Sequence, residues 1–127
     1  MSYKNLEIWK LSNDLMAEVH QMTLKNLPPF EKYEVGSQIR RSSKSIKSNI
    51  VEGYGRRIYR QQYLQFLITA LASNIETIDH LETLFKTGSL KDETLYKSLI
   101  FRYERLGKML TSFTKAVRNN YNKEPNT

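Results

Sequence analysis

Seven cationic side chains crowd one stretch of this 127-residue chain: Arg40, Arg41, Lys44, Lys47, Arg56, Arg57 and Arg60. Between Val35 and Arg60 only Glu52 opposes them. Guanidinium and ammonium groups gathered in this way suit phosphates, and Tyr54 and Tyr59, interleaved with the arginines, suit stacking on bases. These seven are the candidate nucleic-acid-binding residues. No motif for reading base edges accompanies them, so contact with RNA or DNA is expected to be largely independent of nucleotide sequence. A charge run is also, more simply, a solvated face. On that second reading the chain is a structural or scaffolding oligomer whose basic side meets an acidic protein partner.

Residues that would carry catalysis do not assemble. His20 and His80 are the two histidines, and neither stands in a metal-binding spacing. Glu76 and His80 lie four apart on one helical face, where an ion pair or a solvated pair is the simpler reading. Ser37, Ser42, Ser43, Ser45 and Ser48 have no nucleophile elbow and no nearby base. Gly53 and Gly55 follow no strand and lack the rest of a phosphate loop, so they read as helix termination. The chain has no cysteine, which excludes disulfides and thiolate metal sites and fits a reducing cytoplasm. The expectation is no enzyme activity, no catalytic residues, no cofactor and no metal.

The elements that must position the cations are helices. Hydrophobic residues make up 39% and charged residues 26%, while Gly 5 and Pro 3 are too few for a sheet with many turns. A first helix is expected from about Asn5, a suitable N-cap, to about Asn26, on a stripe of Ile8, Leu15, Met16, Val19 and Met22. Pro28-Pro29 stops it, and Phe30 and Tyr33 are expected to cover the end of the bundle. The second helix, Val35 to Arg57, sets Val35, Ile39, Ile46 and Ile50 on its core face and Arg40, Lys44 and Lys47 on an adjacent one. Ser42 and Ser43 leave its middle thin, so another backbone can approach. Asn49, Glu52 and Arg56 are expected to brace its end around a partly buried arginine, with Gly53 relieving crowding.

A third helix, from about Tyr59 to Lys86, carries Tyr63, Leu67, Ala70, Leu71, Ile78, Leu81 and Phe85, widened by Leu64, Ile68 and Ile75. So broad an apolar face suggests more than one neighbouring helix or subunit. Asn74 within it reads as a satisfied buried amide that fixes register. Thr87-Gly88 is a stop, and Ser89 with Asp92 resembles a capping arrangement for the fourth helix. That helix runs to about Tyr121 on Leu95, Leu99, Tyr103, Leu106, Leu110, Phe113 and Val117, with Phe101 opposite. The architecture expected is all-α: an up-down-up-down antiparallel four-helix bundle, one domain over 1–121, with a frayed tail at 122–127. No apolar run approaches the roughly 18 residues that span a bilayer, and no signal segment opens the chain, so the expected location is the cytoplasm and no membrane is involved.

The net charge of +7 is unevenly spread. The second helix is basic, whereas residues 61–90 hold only Lys86 against Glu76, Asp79 and Glu82.

The run SIKSNIVEGYGRR, preceded by QIRRSSK, resembles the signature of the small four-helix-bundle proteins encoded within intervening sequences of 23S rRNA genes. The accessory variability determinant protein of diversity-generating retroelements is similar to that family. The likeness extends to LEIWKLSNDLMAEVH, PPFEKYEVGSQIRRSS and LQFLITALASNIETIDHLETL, nearly the whole chain. At Lys47 the chain departs from the proline usual in the family, which adds a charge. The resemblance implies a bundle that assembles into a ring, commonly a pentamer, and no enzyme activity. It also makes a nucleic-acid-processing protein a plausible partner.

Overall fold

The computed structural model describes residues 2–120, and within them four long helices follow one another: α1 (Glu7–Lys25), α2 (Val35–Gly55), α3 (Arg60–Lys86) and α4 (Glu93–Asn120). Short 3-10 turns at Tyr3–Asn5 and Pro29–Tyr33 precede α1 and α2. The expected end of the last helix at Tyr121 and the tail at 122–127 lie outside the described residues.

Side-chain pairs fix the directions. Between α1 and α2, Thr23 meets Arg40 while Asn13 meets Lys47. Between α2 and α3, Ser42 meets Thr77 and Ser45 meets Ser73. Between α3 and α4, Tyr63 meets Phe113 while Phe85 stacks on Tyr96. In each case the numbers rise on one helix as they fall on the other, so all neighbours are antiparallel. Glu18 on α1 and Arg102 on α4 close the square. The all-α up-down-up-down bundle expected from periodicity is the fold.

The core follows the apolar stripes. Leu15, Val19, Ile39, Ile46, Ile50, Leu67, Leu81, Leu99, Leu106 and Leu110 are fully buried, and Tyr103 lies among them. The seam between α2 and α3 differs from the rest, because it is built from small and hydroxyl-bearing residues. Ser42 and Thr77 share a 2.8 Å hydrogen bond, and Ser45 and Ser73 share one of 2.9 Å. Asn49 Nδ2 donates to the Ser45 carbonyl at 2.8 Å and to its hydroxyl at 3.0 Å, completing the polar row. Gly53 is buried within α2 rather than ending it; a Cβ there would stand 3.0 Å from Phe66 Cβ and 3.2 Å from Tyr63 Cδ1. The expectation that Gly53 relieves crowding holds, and Gly55 is the terminal glycine.

The ends depart from expectation. Leu6, not Asn5, precedes α1, and Asn5 belongs to the 3-10 turn. Phe30 and Tyr33 do not cover the bundle; they are 61% and 84% exposed. Glu31 is buried there instead. Its Oε1 accepts from the Val35 N–H at 3.1 Å, and its Oε2 accepts from the Ser89 hydroxyl at 2.6 Å. A carboxylate at the N-terminus of α2 satisfies an otherwise orphan donor and meets the positive end of the helix dipole. Ser89 is thereby withdrawn from α4, whose first turn is capped by Asp92 Oδ1 accepting from Leu95 N–H at 3.0 Å. Gly88 turns the chain with φ of 81°, a conformation that disfavours any residue with a Cβ.

Glu18 and Arg102 form a two-pronged pair across α1 and α4, with Arg102 Nη2 at 2.8 Å from Glu18 Oε1. The hydrogen bonds from Arg102 hold the Glu18 carboxyl below its ordinary range, against the opposing effect of burial. A carboxylate with a depressed pKa stabilises the fold at neutral pH, and that contribution disappears as pH falls through its folded value. Glu18→Gln should therefore lower the melting temperature at pH 7, and the difference from the parent should close below about pH 4. Thermal melts across that range check this. Both side chains are partly exposed, so the shift should be modest.

Candidate nucleic-acid interface

The seven candidate cations do not form one surface. Helical geometry turns Arg40 and Lys47 toward α1. The Arg40 guanidinium donates from Nη1 to Thr23 Oγ1 at 2.9 Å and from Nη2 to the Lys32 carbonyl at 2.8 Å, tying α2 to both α1 and the turn before it. Lys47 Nζ donates to Asn13 Oδ1 at 3.1 Å, and α2 runs unbroken through this position. Arg41 and Lys44 point to solvent and make no hydrogen bond or ion pair among the described residues. The adjacency seen in the helical repeat is real, yet two members of that face are joined to the bundle.

Arg56, Arg57 and Arg60 surround the turn from α2 into α3. Arg56 Nε lies 3.1 Å from Glu52 Oε2, its Nη1 donates to Gln62 Oε1 at 3.1 Å, and its guanidinium stands 5.4 Å from the Phe66 ring centre. This pair braces the end of α2, with the Glu52 and Arg56 side chains each about half exposed. Arg57 donates from Nη1 to the Tyr54 carbonyl at 2.9 Å and lies over the Tyr54 ring at 4.0 Å from its centre. The Tyr63 hydroxyl sits close by. Burial pushes its pKa up to about 12, with Tyr54 adding to the rise and Arg57 opposing it. Arg60 Nη1 reaches the Arg118 carbonyl at 3.4 Å, linking this turn to the last turns of α4.

That last contact exposes what the linear sequence conceals. In an up-down-up-down bundle the C-terminal ends of α2 and α4 lie at the same end, so Lys115 and Arg118 join Arg56, Arg57 and Arg60. Glu52 is the acid beside them on α2, and Glu7 at the start of α1 is matched by Lys10 at 3.5 Å. Cations near helix C-termini are also favourable to the helix dipoles, which accounts for part of this placement without any ligand. Ile58 and Tyr59, 65% and 59% exposed, lie in the middle of the cationic cluster. The signal that would have revealed Lys115 and Arg118 was the topology, not their spacing.

Among the described residues no group of three His, Cys, Asp or Glu side chains is arranged to hold a metal. His80 and Glu76 do meet, at 3.1 Å, as an i, i+4 surface pair. Asn74 is buried and donates to the Tyr103 carbonyl at 3.0 Å, but its Oδ1 has no hydrogen-bond partner among the described residues, so the expected satisfied amide is satisfied on one side only. Gly107 makes room for it, since a Cβ there would stand 3.1 Å from Asn74 Nδ2. No helix of the described residues is long and apolar enough to cross a membrane.

The family model for the 23S rRNA-intervening sequence protein matches residues 4–112. The chain belongs to this family. A solved structure from Bacteroides thetaiotaomicron VPI-5482, described as a protein with unknown function from the S23 ribosomal protein family, is similar to it. The two are 25% identical, the match covers 85% of this chain and 95% of that one, and the TM-score is 0.77. No curated protein matches. Residues 45–57, inside the matched range, hold Ser45 and Asn49 of the polar row that meets Ser73, the buried Gly53 and the arginine turn. Fold-making and candidate binding residues are thus interleaved in one segment.

Arg40 and Arg41 should separate cleanly in stability. Arg40→Gln removes hydrogen bonds to Thr23 and to a backbone carbonyl and should cost about 1–3 kcal/mol. Arg41→Gln and Lys44→Gln should stay within about 0.5 kcal/mol of the parent. Urea denaturation of the three variants measures this directly.

Proposed function

We propose that the protein is a non-enzymatic, ring-forming helical bundle that contacts RNA or DNA through its basic surface in the cytoplasm, as an accessory to a nucleic-acid-processing partner. The observation that carries this reading is the convergence of Arg56, Arg57, Arg60, Lys115 and Arg118 at one end of the bundle, with exposed Tyr59 between them. Phosphate contact releases condensed counterions, so log affinity for a single strand should fall with log salt by about 0.7 per contact. Replacing Arg56, Arg57 and Arg60 by glutamine should flatten that slope by up to about two units and weaken all sequences similarly. Fluorescence anisotropy across a salt series measures the slope. An unchanged affinity and slope in an intact oligomer would transfer the reading to the scaffold.

Assembly is the second part of the proposal. On α3, Ile68 and Ile75 are 48% and 62% exposed, and on α4 Phe101 is 67% exposed. Ile75 borders a shallow groove between α3 and α4 floored by Gly107 and Asn74. The exposed Glu76, Asp79 and Glu82 run along α3, while Arg41 and Lys44 project from α2. A neighbour's α2 meeting this acidic side makes a heterologous contact, which closes into a ring if the rotation allows. Five copies is the number the family resemblance implies. Light scattering at micromolar concentration should give a mass well above the 15.0 kDa protomer, and Ile75→Asp should reduce it. A parent protein that stays monomeric would end the ring proposal.

The scaffold reading has one observation in its favour. With Arg40 and Lys47 joined to α1, the face of α2 presents only Arg41 and Lys44 to a partner, a pair suited to an acidic protein surface. A raised 260/280 absorbance ratio in the purified protein, removed by high salt, favours the nucleic-acid reading over it.

A further inference from the structure

The arrangement around Arg57 does more than supply charge. Its guanidinium carbon lies over the Tyr54 ring, 4.0 Å from the ring centre, and is tethered there by a hydrogen bond from Nη1 to the Tyr54 carbonyl. Arg57 is exposed, so a planar group whose inner face covers a tyrosine turns its outer face to solvent. Two residues on, Tyr59 stands 59% exposed with no side-chain role in capping α3. Arg56, in contrast, is engaged by Glu52 and Gln62 beside Phe66. The turn therefore presents two flat surfaces, Arg57 backed by Tyr54 and the ring of Tyr59, beside the cations Lys115 and Arg118.

We propose that this turn is a stacking site for unpaired bases, so that the ligand is a single-stranded segment of RNA or DNA and not a duplex. The inference rests on the nucleic-acid reading above and narrows it. Both guanidinium planes and aromatic rings accept a base on their faces, whatever the base, because every base has a π-face. In a duplex those faces are occupied by neighbouring base pairs, and only phosphates remain for a side chain outside the grooves. A cluster built for phosphates alone would need no exposed tyrosine and would work as well with its arginines extended into water. Here the arginine is tethered over a ring, which removes part of the ordering cost before a ligand arrives. The neighbouring cations then hold the sugar-phosphate strand while a base leaves it to stack.

The test uses the full chain and labelled 15-nucleotide RNA and DNA strands of one sequence, a duplex of that sequence, and single strands carrying abasic positions. Arg57→Lys keeps the charge and loses the plane; Tyr59→Leu keeps the bulk and loses the ring. Each should weaken single-strand binding by about five- to tenfold, the worth of one stacked base, with little change in salt slope or duplex affinity. The abasic strands should bind the parent about as weakly as the variants bind the intact strand, and should no longer distinguish parent from variant. Both residues are exposed, so melting temperatures should match the parent and exclude a folding defect. Variants that match the parent on single strands, or that lose duplex and single-strand binding alike, would overturn the stacking site. If binding with a steep salt slope persists in that case, the broader nucleic-acid reading survives; if the parent binds no strand at low salt, both fall.

Discussion

The close approach of α2 and α3 is the constraint on which the rest of the molecule depends. Two helices packed through serines, a threonine, an alanine and a glycine come nearer than leucine-lined helices can, and their hydroxyl groups must then find partners within the seam. Ser42 with Thr77 and Ser45 with Ser73 meet that requirement. The register of this polar row determines where Tyr63 lies against Gly53, and hence where the turn carrying Arg56, Arg57 and Arg60 begins. A slip of one helical turn would leave several buried hydroxyls unpaired, at a cost of about 1–3 kcal/mol each. The basic end is therefore held in position by uncharged contacts some distance from it.

Much of the fold was legible in the sequence because periodicity reports burial. The stripes through Ile39, Ile46 and Ile50, through Leu67 and Leu81, and through Leu99, Leu106 and Leu110 all face the core. The helix ends were less legible, since caps are decided by tertiary contacts. Ser89 looks like a cap for α4, but a buried carboxylate 58 residues earlier claims its hydroxyl. Glu31 itself gave no signal, being one acid in a polar-looking turn. Phe30 and Tyr33 have the composition of a lid and lie exposed, while Leu27 and Glu31 are the buried residues of this connection.

The candidate site was legible in its residue types and not in its grouping. A helical wheel places Arg40, Lys44 and Lys47 side by side, but it cannot say which edge of that face meets α1. The structure gives Arg40 and Lys47 to packing and leaves Lys44, with Arg41, outside. Conversely, Lys115 and Arg118 lie far from Arg57 along the chain and come near it through the topology. Charge counted by segment located the basic helix; charge counted by end of the bundle locates the surface.

Glu31 and Ser89 also bear on how copies can associate. The chain is two helical hairpins, α1–α2 and α3–α4, joined covalently at the arginine turn and, at the opposite end, by this hydrogen bond between their loops. A hairpin could be exchanged between two copies only by swinging open about the arginine turn. That motion would break the buried carboxylate–hydroxyl contact, the Glu18–Arg102 pair and the hydroxyl pairs of the α2–α3 seam. The loop-to-loop bond thus acts as a guard against domain swapping, and favours association of closed protomers through their outer faces over the trading of hairpins.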